Sequence, residues 1–150
     1  MYTVKQVADI VGTSVHTLRF YDNKGLFPYL SRDQNNNRVF SELDLNWVHL
    51  IQCLRDTGMP LADIKHYVEL SKQGDSTIEE RYYILLKQKE KTEQEITNMQ
   101  KRVEILNAKT DYYKGVLQAK KSDDWNPAKP SYNKCKEMSK LIRNLSGDIF

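Results

Sequence analysis

From Ile78 to Leu117 the residues Ile78, Tyr82, Leu85, Lys89, Thr92, Ile96, Met99, Val103, Leu106, Thr110, Tyr113 and Leu117 follow one another in strict 4-3 alternation, and nine of the twelve are apolar. A 3.5-residue period kept up over more than five heptads predicts an α-helix that pairs with another helix along a narrow stripe. At 1.5 Å per residue that helix runs roughly 60 Å. Nothing else in the chain is long enough to cover such a stripe. A second copy of the same helix is therefore the expected partner.

The residues before the seam read as short helices around a corner. Thr3 with Gln6 three positions on is a capping-box pattern, and Val4, Val7, Ala8 and Val11 form one apolar stripe, which predicts a helix to about Val11 that Gly12 ends. Ser14 can cap a second helix with Val15, Leu18 and Tyr21 on its inner face, and Gly25 lies just past its end. Ala8 supplies the small side chain where two helices cross, and Gly12 the positive φ of a tight corner. This is helix-turn-helix logic, and an ordinary helical corner is the bland alternative at this point.

Next, "LFPYLSRDQNNNRVF" sets aromatic and branched residues around an Asp-Gln-Asn-Asn-Asn centre that tolerates left-handed turn conformations, so a small two-stranded wing is expected. Ser41 and Asp44 cap a third helix, with Leu43, Trp47, Val48, Ile51 and Leu54 as its apolar face, which Thr57-Gly58 ends. Pro60 suits the first turn of a fourth helix carrying Leu61, Ile64 and Val68. After the seam come a two-proline linker and a short amphipathic helix marked by Cys135, Met138, Leu141, Ile142 and Leu145. The reading is a mainly α chain in three parts: a winged helix-turn-helix head at residues 1–74, a coiled-coil dimerisation helix at 76–119, and a short tail at 120–150.

Charge and cysteine content narrow the function. Net charge is +3, yet residues 1–72 hold 8 Lys/Arg and 8 Asp/Glu, so a claim of nucleic-acid binding must rest on where the cations stand. No window approaches the ~18 apolar residues of a membrane span, and no basic start leads into an apolar run, so a cytoplasmic protein is expected, without membrane partners. Two cysteines, Cys53 and Cys135, then read as reduced thiols and are too few for a zinc cluster. His16, His49 and His66 are scattered, and there is no Gly-rich phosphate loop, paired-carboxylate motif or nucleophile elbow. The chain is not expected to be an enzyme, nor to carry a cofactor or a metal.

In its order of elements, residues 1 to about 118 resemble the MerR family of bacterial transcription regulators. The stretch "TVKQVADIVGTSVHTLRFYDNKGL" follows the family's opening motif, including Arg19-Phe20-Tyr21, and "CLRDTGMPLADIKHYVEL" is similar to the branch that answers to aldehydes and other electrophiles in stress responses. The family's wing usually reads Gly-Tyr-Arg; here it is Asn36-Asn37-Arg38, so the Arg is kept and the Tyr is not. The resemblance implies a homodimer with antiparallel long helices and one winged head on each half-site. It also implies promoter DNA that is distorted so that RNA polymerase engages both promoter elements, an indirect readout used as a switch.

Candidate residues follow from these roles. On the solvent side of the second helix, Ser14, His16, Thr17 and Arg19 offer groups that can meet base edges in a major groove, and Arg19 is the foremost. Tyr21 carries two readings, a hydroxyl given to a phosphate and a ring on the inner stripe. Lys24 is in reach of the DNA backbone. Arg32, Asn37 and Arg38 are candidates to hold a phosphate or enter a minor groove, against the plain alternative that exposed turns are polar anyway. Lys65 is a further phosphate candidate on the fourth helix. Cys53 lies about 120° from Trp47 around the third helix, off the apolar centre, and His49 is one turn before it, where an imidazole can stabilise a thiolate. Core filler or sensor thiol for a small-molecule effector are the two readings of Cys53; packing is the reading of Cys135. The competing view of the whole chain is a coiled-coil interaction module whose helix-turn-helix is only scaffold. Salt-dependent binding to promoter DNA separates the two.

Overall fold

The computed structural model describes residues 1–130 together with Tyr132 and Glu137. Its elements are β1 (Tyr2–Thr3), α1 (Val4–Val11), α2 (Val15–Asn23), β2 (Ser31–Arg32), β3 (Arg38–Phe40), α3 (Glu42–Asp56), α4 (Leu61–Lys72), a 3₁₀ turn (Gly74–Thr77) and α5 (Ile78–Ala119). The tail helix expected around Cys135 lies outside the described residues. Two compact units divide the chain, Met1–Glu90 and Lys91–Phe150.

In the first unit the caps form as expected. Thr3 Oγ1 accepts from the Gln6 N–H while the Gln6 side chain accepts from the Thr3 N–H, and Gly12 closes α1 at φ +68°. Ser41 and Asp44 make the same reciprocal pair at the start of α3. Pro60 itself is the cap of α4, one position earlier than the sequence suggests, and its carbonyl accepts from Ile64. Ser41→Ala removes the acceptor of the Asp44 N–H and should cost about 1 kcal/mol. Thermal melting should then show a Tm lower by roughly 4–8 °C.

The core joins Val7, Ala8, Leu18, Tyr21, Leu26, Phe27 and Phe40 to Leu45, Val48, Ile51, Leu54, Met59, Ile64 and Val68. Phe27 sits edge-on to both Tyr21 and Phe40, with ring centroids 6.5 and 5.7 Å apart. The inner face of α3 differs from expectation by one member. Leu43 is exposed and Leu45 is buried, because the core spans Leu45, Val48, Ile51 and Leu54 and turns Leu43 outward. The wing sheet gains a strand as well: β1 pairs antiparallel with β3, Tyr2 with Phe40 and Thr3 with Val39, giving the order β1-β3-β2. Tyr2 then reaches Glu42 at the start of α3 through its hydroxyl, and this acceptor raises the phenol's pKa.

The start of α5 belongs to this unit. Ile84 packs on its core, and the Gln88 amide donates to the Thr57 carbonyl at 2.9 Å. In the second unit the aromatic residues at the far end of α5 pack on each other. Tyr112 and Trp125 stack with centroids 3.8 Å apart, and the Lys109 ammonium stands 5.5 Å above the Trp125 ring. Asp123 accepts from both the Tyr112 and Tyr113 hydroxyls. All nine apolar members of the seam are exposed, from 41% at Leu85 and Tyr113 to 78% at Leu117. Among the described residues no helix is long and apolar enough to cross a membrane.

Candidate nucleic-acid interface

Helix α2 is built to show one arc. Leu18 and Tyr21 bind it to the core, and Ser14 holds its first turn through the Thr17 N–H (2.9 Å), with a hydroxyl–hydroxyl bond of 2.8 Å between the same two residues. The residues left facing solvent are His16, Arg19, Phe20 and Asn23, which recur at the i, i+3, i+4, i+7 spacing of a single helical face. Ser14 stands exposed at the head of this face and Thr17 half-buried beside it. Phe20, 39% exposed, joins this face although it is not among the contacts the sequence suggests. Its signal is that it falls off the Val15-Leu18-Tyr21 stripe. The Lys24 ammonium lies 5.6 Å from its ring centroid. Tyr21 is largely buried against the core, at 6% exposure.

The wing turn is held by Asp33. Its Oδ1 accepts from the Asn35 and Asn37 N–H groups, its Oδ2 from the Asn37 amide, and Asn36 takes the left-handed conformation at φ +62°. These donors, the Asn37 side chain first, lower the carboxyl's pKa. Their support is therefore complete at neutral pH and fades as acid carries pH down through that lowered value. Asn37, expected as a DNA contact, spends its amide on this turn.

Arg32 and Arg38 converge on one carboxylate of α2. Arg38 Nε donates to Asp22 Oδ2 at 2.6 Å and Arg32 Nη2 to the same oxygen at 3.1 Å. Arg38 Nη2 also reaches Asn23 Oδ1, and Arg32 Nη1 the Asn36 carbonyl. Between β1, α2 and the wing turn lies an open cleft of about 450 Å³, lined among others by Tyr2, Thr3, Arg19, Asn36, Asn37 and Arg38. Just past the C-terminal end of α2, Gly25 adopts φ +70°, and a Cβ there would stand 3.4 Å from the Lys65 ammonium. The fold thus sets Lys65 beside the end of α2 where Lys24 stands, although 41 positions separate the two lysines. These guanidinium, hydroxyl and ammonium groups are of the kinds that can meet base edges and phosphates.

Cys53 and His49 lie one turn apart on α3, and both are exposed. The core-filler reading of Cys53 is thereby set aside. Among the described residues no group of three or more His, Cys, Asp or Glu side chains is placed to hold a metal ion.

Comparison with known proteins gives consistent matches. The model of the MerR HTH family regulatory protein matches residues 2–71, and that of the MerR DNA-binding region matches residues 45–108. An uncharacterized HTH-type transcriptional regulator of Haemophilus influenzae is 41% identical over 75% of this chain and 83% of its own. The crystal structure of HiNmlR, a MerR family regulator lacking the sensor domain, bound to promoter DNA, has a TM-score of 0.61 at 39% identity, with 78% of this chain and 93% of that chain covered. A MerR family regulator from Bacillus thuringiensis has a TM-score of 0.60 at 36% identity, over 75% and 98% of the two chains.

Proposed function

Because the chain belongs to the MerR family and is a DNA-binding regulator of transcription, we propose that it works as a homodimer holding two winged heads on one promoter. Residues 1–74 form the head, 76–119 the pairing helix and 120–150 a short tail. The observation that supports the DNA-binding part of this reading is that Arg19 of α2 and Asn36, Asn37 and Arg38 of the wing line one cleft. A relative solved on promoter DNA supports double-stranded DNA as the partner. Arg19, with Ser14, His16, Thr17 and Phe20, reads base edges. Lys24 and Lys65 at one end of α2, and Arg32 and Arg38 at the wing, hold phosphates, while Asn37, its amide committed to Asp33, shapes the turn that carries them. Tyr21 serves chiefly to seat the helix.

Two heads at a fixed span bend or untwist the duplex between them. Such deformation costs about 1–6 kcal/mol, a range the extra phosphate contacts of two heads can supply. RNA polymerase then meets promoter elements in a spacing it can use. Footprinting on a promoter duplex tests this reading: protection of two half-sites is expected, with hyperreactive bases between them. A scaffold role for the head has no comparable support.

Cys53 is the sensor in this proposal. It is an exposed free thiol on α3, with His49 one turn away, and the similarity to the electrophile-responsive branch adds to that support. Addition of the Cys53 thiol to an aldehyde carbonyl, with the thiol proton passing to the new hydroxyl of a hemithioacetal, or its alkylation by another small electrophile, would alter α3 and, through the core it shares with α1 and β3, the rest of the head. Cys53→Ser should leave operator binding unchanged and reduce induction by aldehydes to the uninduced level in a reporter strain. Induction that persists at the parental level would remove Cys53 from this role.

A further inference from the structure

We propose that Asp22 is a positioning residue: one carboxylate binds both wing arginines to α2 and sets how well the head tells its own site from any other duplex. The inference rests on the reading that α2 and the wing bind DNA together. Its starting point is a pair of contacts on Asp22 Oδ2, Arg38 Nε at 2.6 Å and Arg32 Nη2 at 3.1 Å. Asp22 and Arg38 are largely shielded, at 18% and 16% side-chain exposure, while Arg32 at 42% remains open to solvent.

Two features make this placement hard to explain as ordinary surface pairing. Asp22 stands in the last turn of α2, where the helix dipole disfavours an acid, and no basic residue in that turn offsets it. It also stands behind two cations on a surface that faces a polyanion, so it halves their net charge and weakens their general pull on phosphate. Raw affinity would be served better without it. What the carboxylate supplies is direction.

The wing needs that direction. β1 anchors β3 from one side, but the outer strand β2 is two residues long and pairs with the three-residue β3, so the sheet alone holds β2 and the turn weakly. Asp22 and Asn23 grip Arg38 at two points, and Arg32 is tied both to Asp22 and to the Asn36 carbonyl of the turn. Each guanidinium therefore has one side fixed to protein and the rest available to a phosphate at a set distance from Arg19. A head preorganised in this way loses little freedom on its own site and gains nothing on a duplex whose backbone lies elsewhere.

The test uses the full chain, the best duplex from a random-sequence selection against it, and a scrambled duplex of equal length, across a series of salt concentrations. Asp22→Asn should weaken the selected duplex about tenfold, as lost preorganisation, while the scrambled duplex is held as tightly or a few-fold more tightly. Asp22→Glu should restore most of the discrimination. A role confined to folding would lower both affinities together, and that result, or an unchanged ratio, overturns the proposal. Should Asp22→Asn fail to fold, Asn23→Ala decides, since it leaves every cation in place and removes the second grip on Arg38. It should lose discrimination while keeping scrambled-duplex affinity, and an unchanged ratio again overturns the proposal. A parent chain that holds both duplexes alike would sink the DNA reading itself.

Discussion

Ile96→Glu combined with Met99→Glu should turn the proposed dimer into a monomer, with promoter affinity falling by about 10²–10⁴-fold as the two heads lose their link. The seam runs from Ile78 to Leu117, and its midpoint falls between these two residues. In an antiparallel pair the substitutions would gather four carboxylates near the two-fold axis. Nine apolar side chains, 41–78% exposed in the single chain, are what a partner would cover. At about 1.5–3 kcal/mol for a fully buried side chain of this class, two half-exposed seams gross roughly 15–25 kcal/mol. Association costs about 4–15 kcal/mol, so the surplus is small enough for a few buried charges to cancel it. Both substitutions lie beyond Glu90, outside the first compact unit, whose melting should not change. Sedimentation equilibrium is the measurement. A parent chain that sediments as a monomer, or a variant that stays dimeric, would remove the seam from this role.

The same seam explains why much of the architecture is legible in the amino-acid order alone. A heptad period is written in consecutive residues, as are the Thr3–Gln6 and Ser41–Asp44 boxes and the left-handed corner at Gly12. The features that local patterns do not reveal are set by contacts distant in the chain. β1 is two residues long and shares Thr3 with a helix cap, so only its pairing with Val39 and Phe40 makes it a strand. Leu43 and Leu45 are equally apolar, and the packing of α3 on the rest of the core decides which is buried. Arg32 and Arg38 lie 10 and 16 positions from Asp22, beyond any periodic pattern, so both cations stand out in the sequence while the acid that joins them does not. Lys65 is a candidate by its charge, and its place beside Gly25 comes from the docking of α4. The chemistry of the surface is thus legible residue by residue, while its geometry is not.

Arg19→Ala should abolish recognition of the selected site while barely changing the grip on scrambled DNA. Arg19 projects from the middle of the exposed arc of α2 and lines the cleft beside the wing. A bidentate guanidinium–guanine contact is worth about 1–3 kcal/mol, and the proposed homodimer would lose it twice, which amounts to roughly 30-fold to 10⁴-fold in affinity. Lys24→Ala supplies the contrast. As a phosphate contact it should weaken both duplexes alike and lower the salt slope by about 2 per dimer, one for each head. Binding isotherms for the two variants on both duplexes, measured over a range of salt, separate a residue that reads sequence from one that holds the backbone. Equal losses on both duplexes for Arg19→Ala would make it a backbone contact instead, and base readout would then fall to His16, Thr17 and Phe20 on the same face.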